Sequence, residues 1–146
     1  MTIRPAQASD ETAWREMWLA YCTFYGQTLP ESVTASVWAR SRDGVSLINT
    51  VIAHDENGVP LGFANYVLHP HTWSDKTLCY LEDLYVRPEA RGRNVGHALI
   101  EHLIETGKSL GWARVYWHTE TGNAAARRLY DRFKPADDFV RYTVPL

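Results

Sequence analysis

The chain has 146 residues, 45% of them apolar, which suits one globular domain over residues 1–146 built around a single core. Its formal charge of −2 gives the whole molecule no electrostatic attraction to nucleic acid and argues against a binder that works through a basic face. No apolar run approaches the roughly 20 residues of a membrane-spanning helix, and the residues after Met1 lack the apolar segment of a secretory leader.

Thr2 to Pro5 reads as a short first strand. Ser9-Asp10-Glu11 supplies a cap and an acidic first turn. Trp14, Met17, Trp18, Tyr21 and Cys22 then recur at i, i+3, i+4, i+7 and i+8, the apolar face of a helix that ends near Gly26. Pro30-Glu31 opens a second helix through Val33, Val37 and Trp38, ending near Gly44. Leu47 to Ala53 and Val59 to Leu68 are strands, joined by the hairpin turn Asp55-Glu-Asn-Gly58. His69 and His71 fall in a polar connection with no third ligand nearby, so they read as a surface loop and no metal is expected. Cys22 and Cys79 are far apart in sequence and form neither a disulfide framework nor a metal motif, which fits a cytoplasmic protein. Six Trp and eight Tyr exceed what a core of this size requires; most read as packing, some as pocket walls.

Leu78 to Val86 is rich in aromatic and aliphatic residues and reads as a strand stopped by Pro88. From Val95 the apolar residues Val95, Leu99 and Leu103, with Ile100 and Ile104 beside them, predict a helix to Leu110 with Gly111 as its stop. Between lies Arg91-Gly-Arg-Asn94-Val-Gly96. Gly92 and Gly96 permit tight backbone, and Asn94 tolerates a left-handed conformation. A short loop that opens a helix presents unpaired N–H groups at the positive end of the helix dipole, and Arg87, Arg91, Arg93 and His97 add charge around it. That is an anion site suited to a phosphate-bearing ligand, although on charge alone an ordinary turn with solvated arginines is equally good. It is neither a Walker loop nor a dinucleotide fingerprint. Ala113 to His118 alternates as a strand, Ala124 to Phe133 is a helix buried along Ala125, Leu129 and Phe133, and Phe139 to Val144 closes the sheet.

Arg91-x-x-Asn94-x-Gly96 resembles the phosphate loop of the GNAT family of N-acetyltransferases, whose pattern is Arg/Gln-x-x-Gly-x-Gly/Ala. Gly62-Phe-Ala-Asn-Tyr66, Tyr80-Leu-Glu-Asp-Leu-Tyr-Val86 and Asn123 followed by Tyr130 fall in that family's order, nearest to its diamine/polyamine and histone/polyamine branches. The chain departs from the pattern at Asn94, where the family has glycine, and near Phe133, where relatives have Gly-Phe and this chain has Arg132-Phe133. The resemblance implies an α/β (α+β) fold: a mixed, mostly antiparallel sheet of about six to seven strands, splayed in the middle, with about four helices on its two faces. It implies acetyl-CoA as co-substrate. The backbone of Leu84, Tyr85 and Val86 would pair with its pantetheine arm. The loop amides from Arg91, Gly92, Arg93 and Asn94 through Val95, Gly96, His97 and Ala98 would hold its diphosphate. Asn123, with Ala125 and Ala126 after it, would complete that side.

By its spacing alone Tyr130 reads as a buried helix tyrosine; the resemblance makes it the general acid. Glu82 and Asp83 are adjacent on a strand, so they should face opposite sides. They read either as ion-paired strand carboxylates or, by the resemblance, as the base and an amine ligand. Phe24 and Tyr25, beside the acceptor site in relatives, read as packing or as acceptor contacts, and Glu31 likewise. His118, at the end of a strand, is by residue type an alternative base. The implied activity is acetyl transfer to a primary amine of a small molecule (polyamine, diamine or amino acid) by direct attack in a ternary complex, in a homodimer joined through the C-terminal strands. Transfer to protein lysines or N-termini, or a non-catalytic acyl-CoA-binding module, are the other implied functions.

Overall fold

The computed structural model describes residues 1–146. Its elements run β1 (Thr2–Pro5), α1 (Glu11–Phe24), α2 (Glu31–Arg40), β2 (Ile48–His54), β3 (Pro60–Pro70), β4 (Thr77–Val86), α3 (Val95–Leu110), β5 (Arg114–Tyr116) and α4 (Ala124–Tyr130), with single turns of tighter helix at Ala8–Asp10 and Pro88–Ala90. The strands lie side by side in chain order, antiparallel except for the parallel pair β4–β5. No helix is long and apolar enough to cross a membrane.

Period-two alternation divides the core between the two faces of this sheet. Val51, Ala53, Ala64 and Leu81 meet Leu99, Ile100 and Leu103 of α3 on one face. Ile52 and Phe63 meet Trp14, Met17, Trp18 and Cys22 of α1 and Trp38 of α2 on the other. The aromatic surplus is concentrated there: Trp14 stacks on Trp18 at 5.5 Å and tilts against Trp38 at 5.0 Å between ring centroids. Trp73, by contrast, is 90% exposed.

The sheet has five strands, fewer than expected. Phe139 to Val144 alternates like a strand but pairs with nothing, and Phe139 and Tyr142 stand 92% and 90% exposed. β5 is three residues long, not the six expected from Ala113 to His118. α4 stops at Tyr130, and its residues are at most partly buried; Ala125, expected inside, is exposed.

A polar cluster fixes the start of α1 to the sheet. Asp10 accepts from Arg4 Nη1 and Nη2 at 2.6 and 2.9 Å and from the Gln7 amide at 2.8 Å, with His54 Nε2 at 3.1 Å. Burial opposes ionisation of Asp10, but the Arg4, Gln7 and His54 hydrogen bonds outweigh it and hold its pKa at about 2. A depressed carboxylate pKa stabilises the fold above the unfolded value of ~3.9 and loses that contribution as pH falls through the folded value. Asp10→Asn is therefore expected to cost about 2 kcal/mol in urea denaturation at pH 7, and the deficit relative to the native chain should shrink as the titration is repeated from about pH 4 downward.

Candidate active site

β3 covers one edge of β4 from Thr77 to Val86. β5 covers the other edge only at Leu78, Cys79 and Tyr80, opposite Arg114, Val115 and Tyr116. Past Tyr80 the two strands part, and the edge from Leu81 to Val86 has no strand beside it. The Arg87 amide bonds Leu61 of the β3 side, whereas the Val86 carbonyl accepts from Arg91 Nε at 3.3 Å on the open side. Backbone alternation therefore turns the polar groups of Leu84 and Val86 to the open edge and those of Tyr85 to β3. The Tyr85 ring packs on Phe63 at 6.0 Å.

On the closed edge, Asn65 faces Asp83 while Tyr66 faces Leu81, so Glu82 is the extra residue of a β-bulge. Leu81, Leu84 and Val86 all pack toward α3, and Asp83 meets Tyr21 of α1. The alternation shifts phase across the bulge, which puts Glu82 and Asp83 together on the α1 side. The expectation that they face opposite sides holds only for an unbroken pleat and is corrected here. Asp83 accepts from Asn65 Nδ2 at 3.0 Å, and Asn65 Oδ1 accepts from Thr50 Oγ1 at 2.6 Å, both side chains being buried. Burial pushes the Asp83 carboxyl up, with the Asn65 and Tyr21 hydrogen bonds acting against it. Glu82 is raised by partial burial of its carboxyl and by the Asp83 charge.

The loop between β4 and α3 takes the expected form. Asn94 is left-handed (φ 65°, ψ 15°), as is Gly92 (φ 76°). The amides of Gly92, Asn94, Val95, Gly96 and His97 meet no acceptor, while those of Arg91, Arg93 and Ala98 bond Pro88, Ala90 and Asn94 carbonyls. Val95 and Gly96 are nonetheless buried residues. A Cβ on Gly96 would lie 3.0 Å from Leu129 Cδ2 and 3.6 Å from Val86 Cγ2, so glycine there lets α4 close on the loop. Arg93 faces Asp55 and Glu56 across a shallow hollow. His97 is largely covered: its ring stacks on Phe133 at 4.4 Å and lies 3.7 Å from Glu101.

Across the gap stand Trp117 and Tyr130, with ring centroids 5.5 Å apart. Burial and the neighbouring Tyr25 phenol push the Tyr130 hydroxyl up to about 12. Phe24 and Tyr25 are 68% and 40% exposed, so neither is core. With Glu120, Asn123 and Ala124 they line an open cleft of about 510 Å³. The Glu120 charge acts on the Tyr25 phenol, which burial and this charge raise. Asn123 caps α4, accepting from the Ala126 amide at 3.2 Å, and Ala125 borders the same cleft. Glu31 is drawn away to Arg15 at 2.7 Å, and His118 approaches the Tyr80 hydroxyl at 3.5 Å.

Four residues of this region carried no functional signal in sequence. Tyr21 looked like one more apolar-face residue, Asn65 and Thr50 are polar residues in strands whose pairing decides their role, and Glu120 sits in a turn.

The Acetyltransferase (GNAT) family model matches residues 11–134. A D-amino-acid N-acetyltransferase of Saccharomyces cerevisiae, HPA3, is 33% identical over 143 residues, covering 97% of this chain and 89% of the relative. A thialysine N-epsilon-acetyltransferase of Bos taurus is 31% identical over 70 residues, 48% of this chain and 41% of the relative. The crystal structure of a probable acetyltransferase superposes with a TM-score of 0.88 at 27% identity, covering 100% of this chain and 98% of that one.

Proposed function

The chain belongs to the GNAT acetyltransferase family, and from that premise we propose that it transfers acetyl from acetyl-CoA to the primary amine of a small molecule, an amino acid, diamine or polyamine, by direct attack in a ternary complex. The observation that carries this reading is the open β4 edge, which has unbonded amides at one end and two carboxylates and a phenol beside it.

The residues present fit coenzyme A. Unbonded amides at the buried N-terminus of α3 suit a diphosphate, and the backbone of Leu84 with the Val86 amide, the Val86 carbonyl being held by Arg91, suits an extended amide-bearing arm, which would add to β4 as another strand. Acetyl-CoA supplies the acetyl group as a thioester. Tyr130, near pKa 12, keeps its proton at Oη throughout the neutral range, so donor is the role open to it. An amine attacks only after losing a proton, and Glu82, with its raised pKa, is a stronger base than an ordinary carboxylate. Asp83 adds negative charge on the same side. Phe24, Tyr25 and Glu120 give the cleft aromatic faces and a carboxylate without a basic partner, which suits a cationic acceptor. The acceptors in the names of the relatives, D-amino acids and thialysine, are small amines of this kind.

The homodimer belongs to the same proposal. Phe139 to Leu146 lies exposed, with strand-like alternation, in a chain whose last sheet strand, β5, has a free outer edge. A second copy offers both the partner strand and the apolar cover. The two cysteines are free and buried, in keeping with a reducing, cytoplasmic setting.

Incubation with acetyl-CoA and a panel of small amines is expected to release free thiol. Tyr130→Phe should lower kcat by about a hundredfold or more while calorimetric affinity for coenzyme A stays unchanged. Thiol release with lysine peptides but no small amine would instead favour a protein substrate, and release by Tyr130→Phe at the native rate would remove the phenol from the chemistry. The acid limb of kcat/KM, where Glu82 must be ionised, should lie above the ordinary glutamate value of ~4.3 because the folded pKa is raised, and Glu82→Gln should abolish that limb. Analytical ultracentrifugation is expected to give a dimer for the full chain and a monomer after removal of residues 138–146.

A further inference from the structure

We infer that Arg132 is a positioning residue for the anion loop: by holding the Asn94 side chain, it keeps the first amides of α3 open for the diphosphate of coenzyme A. The inference rests on the acetyl-CoA reading above. An asparagine before a helix ordinarily turns its side-chain oxygen onto an amide two or three residues on, satisfying one of the orphan donors. Asn94 does not. Its backbone is left-handed, its side chain caps nothing, and Oδ1 accepts from Arg132 Nη1 at 3.0 Å instead. Arg132 has no carboxylate partner that competes for it. The Gly96 and His97 amides, which Asn94 would reach only on taking the extended backbone of an ordinary cap, are without an acceptor.

Arg132 follows Tyr130, the last residue of α4, by two residues, in the turn beyond the helix. The bond to Asn94 therefore also ties the loop to the helix that carries the phenol, and the close approach of Leu129 to Gly96 lies within the same contact. The two places where the chain departs from the family's pattern, Asn94 and the stretch before Phe133, thus touch one another. Asparagine brings a side chain that glycine lacks, and the arginine restrains it.

A double-mutant cycle with calorimetric coenzyme A binding tests this, with thermal melting to confirm that each variant is folded. Arg132→Ala is expected to weaken binding about tenfold, equivalent to ~1.4 kcal/mol. Asn94→Gly should bind at least as tightly as the native chain, because glycine takes the left-handed conformation freely and has no side chain to compete. Adding Arg132→Ala to the Asn94→Gly chain should then change affinity by less than about twofold, since nothing is left to restrain. In turnover, Arg132→Ala should raise the KM for acetyl-CoA and leave kcat near native. An equal loss in both backgrounds would make Arg132 a direct cation on the ligand and overturn the positioning role, as would unchanged affinity in Arg132→Ala. Absence of coenzyme A binding by the native chain is a separate result that removes the acetyl-CoA reading and this inference with it.

Discussion

The early end of β4–β5 pairing is the constraint on which the site depends. After Tyr80 opposite Tyr116, β5 leaves the sheet and β4 runs on alone along that edge to Val86. Unpaired strand backbone costs free energy when it is shielded from water. Two features keep it in place. β3 pairs with the whole of β4, so the strand cannot follow β5 away. The aromatic cluster of α1 and α2 on one face and α3 on the other clamp it from both sides. Within the same few residues, the bulge at Glu82 re-aims the carboxylates, so one short stretch of strand carries both the open backbone and the acidic side chains.

A near-neutral total charge conceals a separation of charge across the gap. One end has the unbonded amides of α3 together with Arg91 and Arg132, both bound to the loop or to the strand before it. The other side has Glu82 and Asp83, with Glu120 at the cleft. That separation suits the proposed reaction, in which a polyanionic cofactor and a cationic amine would approach from different sides of β4 and meet at its open edge. The phenol sits between these fields, in a site dry enough to raise its pKa, and so stays neutral.

Much of this was legible in the sequence because it depends on local periodicity. The apolar rows of α1 and α3 and the left-handed Asn94 follow from spacing and residue type. What was not legible depends on partners remote in sequence. The bulge at Glu82 is a matter of register with Asn65, and nothing within Tyr80-Leu-Glu-Asp83 announces it. The strand pattern of Phe139 to Val144 is real, but a strand needs a neighbour, and within one chain that neighbour is lacking. The cover over His97 was not legible either, because Phe133, which stacks on it, comes from the far end of the domain sequence.

The left-handed Asn94 shows how a departure from the expected residue is absorbed. A non-glycine residue in that conformation costs on the order of 1 kcal/mol, and an asparagine at the start of a helix can turn extended and fill the donors that a bound diphosphate would need. Both liabilities arise from the same side chain. Anchoring its oxygen to the guanidinium of Arg132 removes the second and offsets part of the first. Asparagine is also the residue for which the first is smallest, since it enters the left-handed region more readily than other residues with a side chain. The loop therefore keeps the geometry that glycine would give it, at the expense of dependence on a residue from the turn that follows another helix. That dependence joins the anion-binding end of the site to the helix bearing Tyr130, a mechanical link between the halves that a glycine loop would lack.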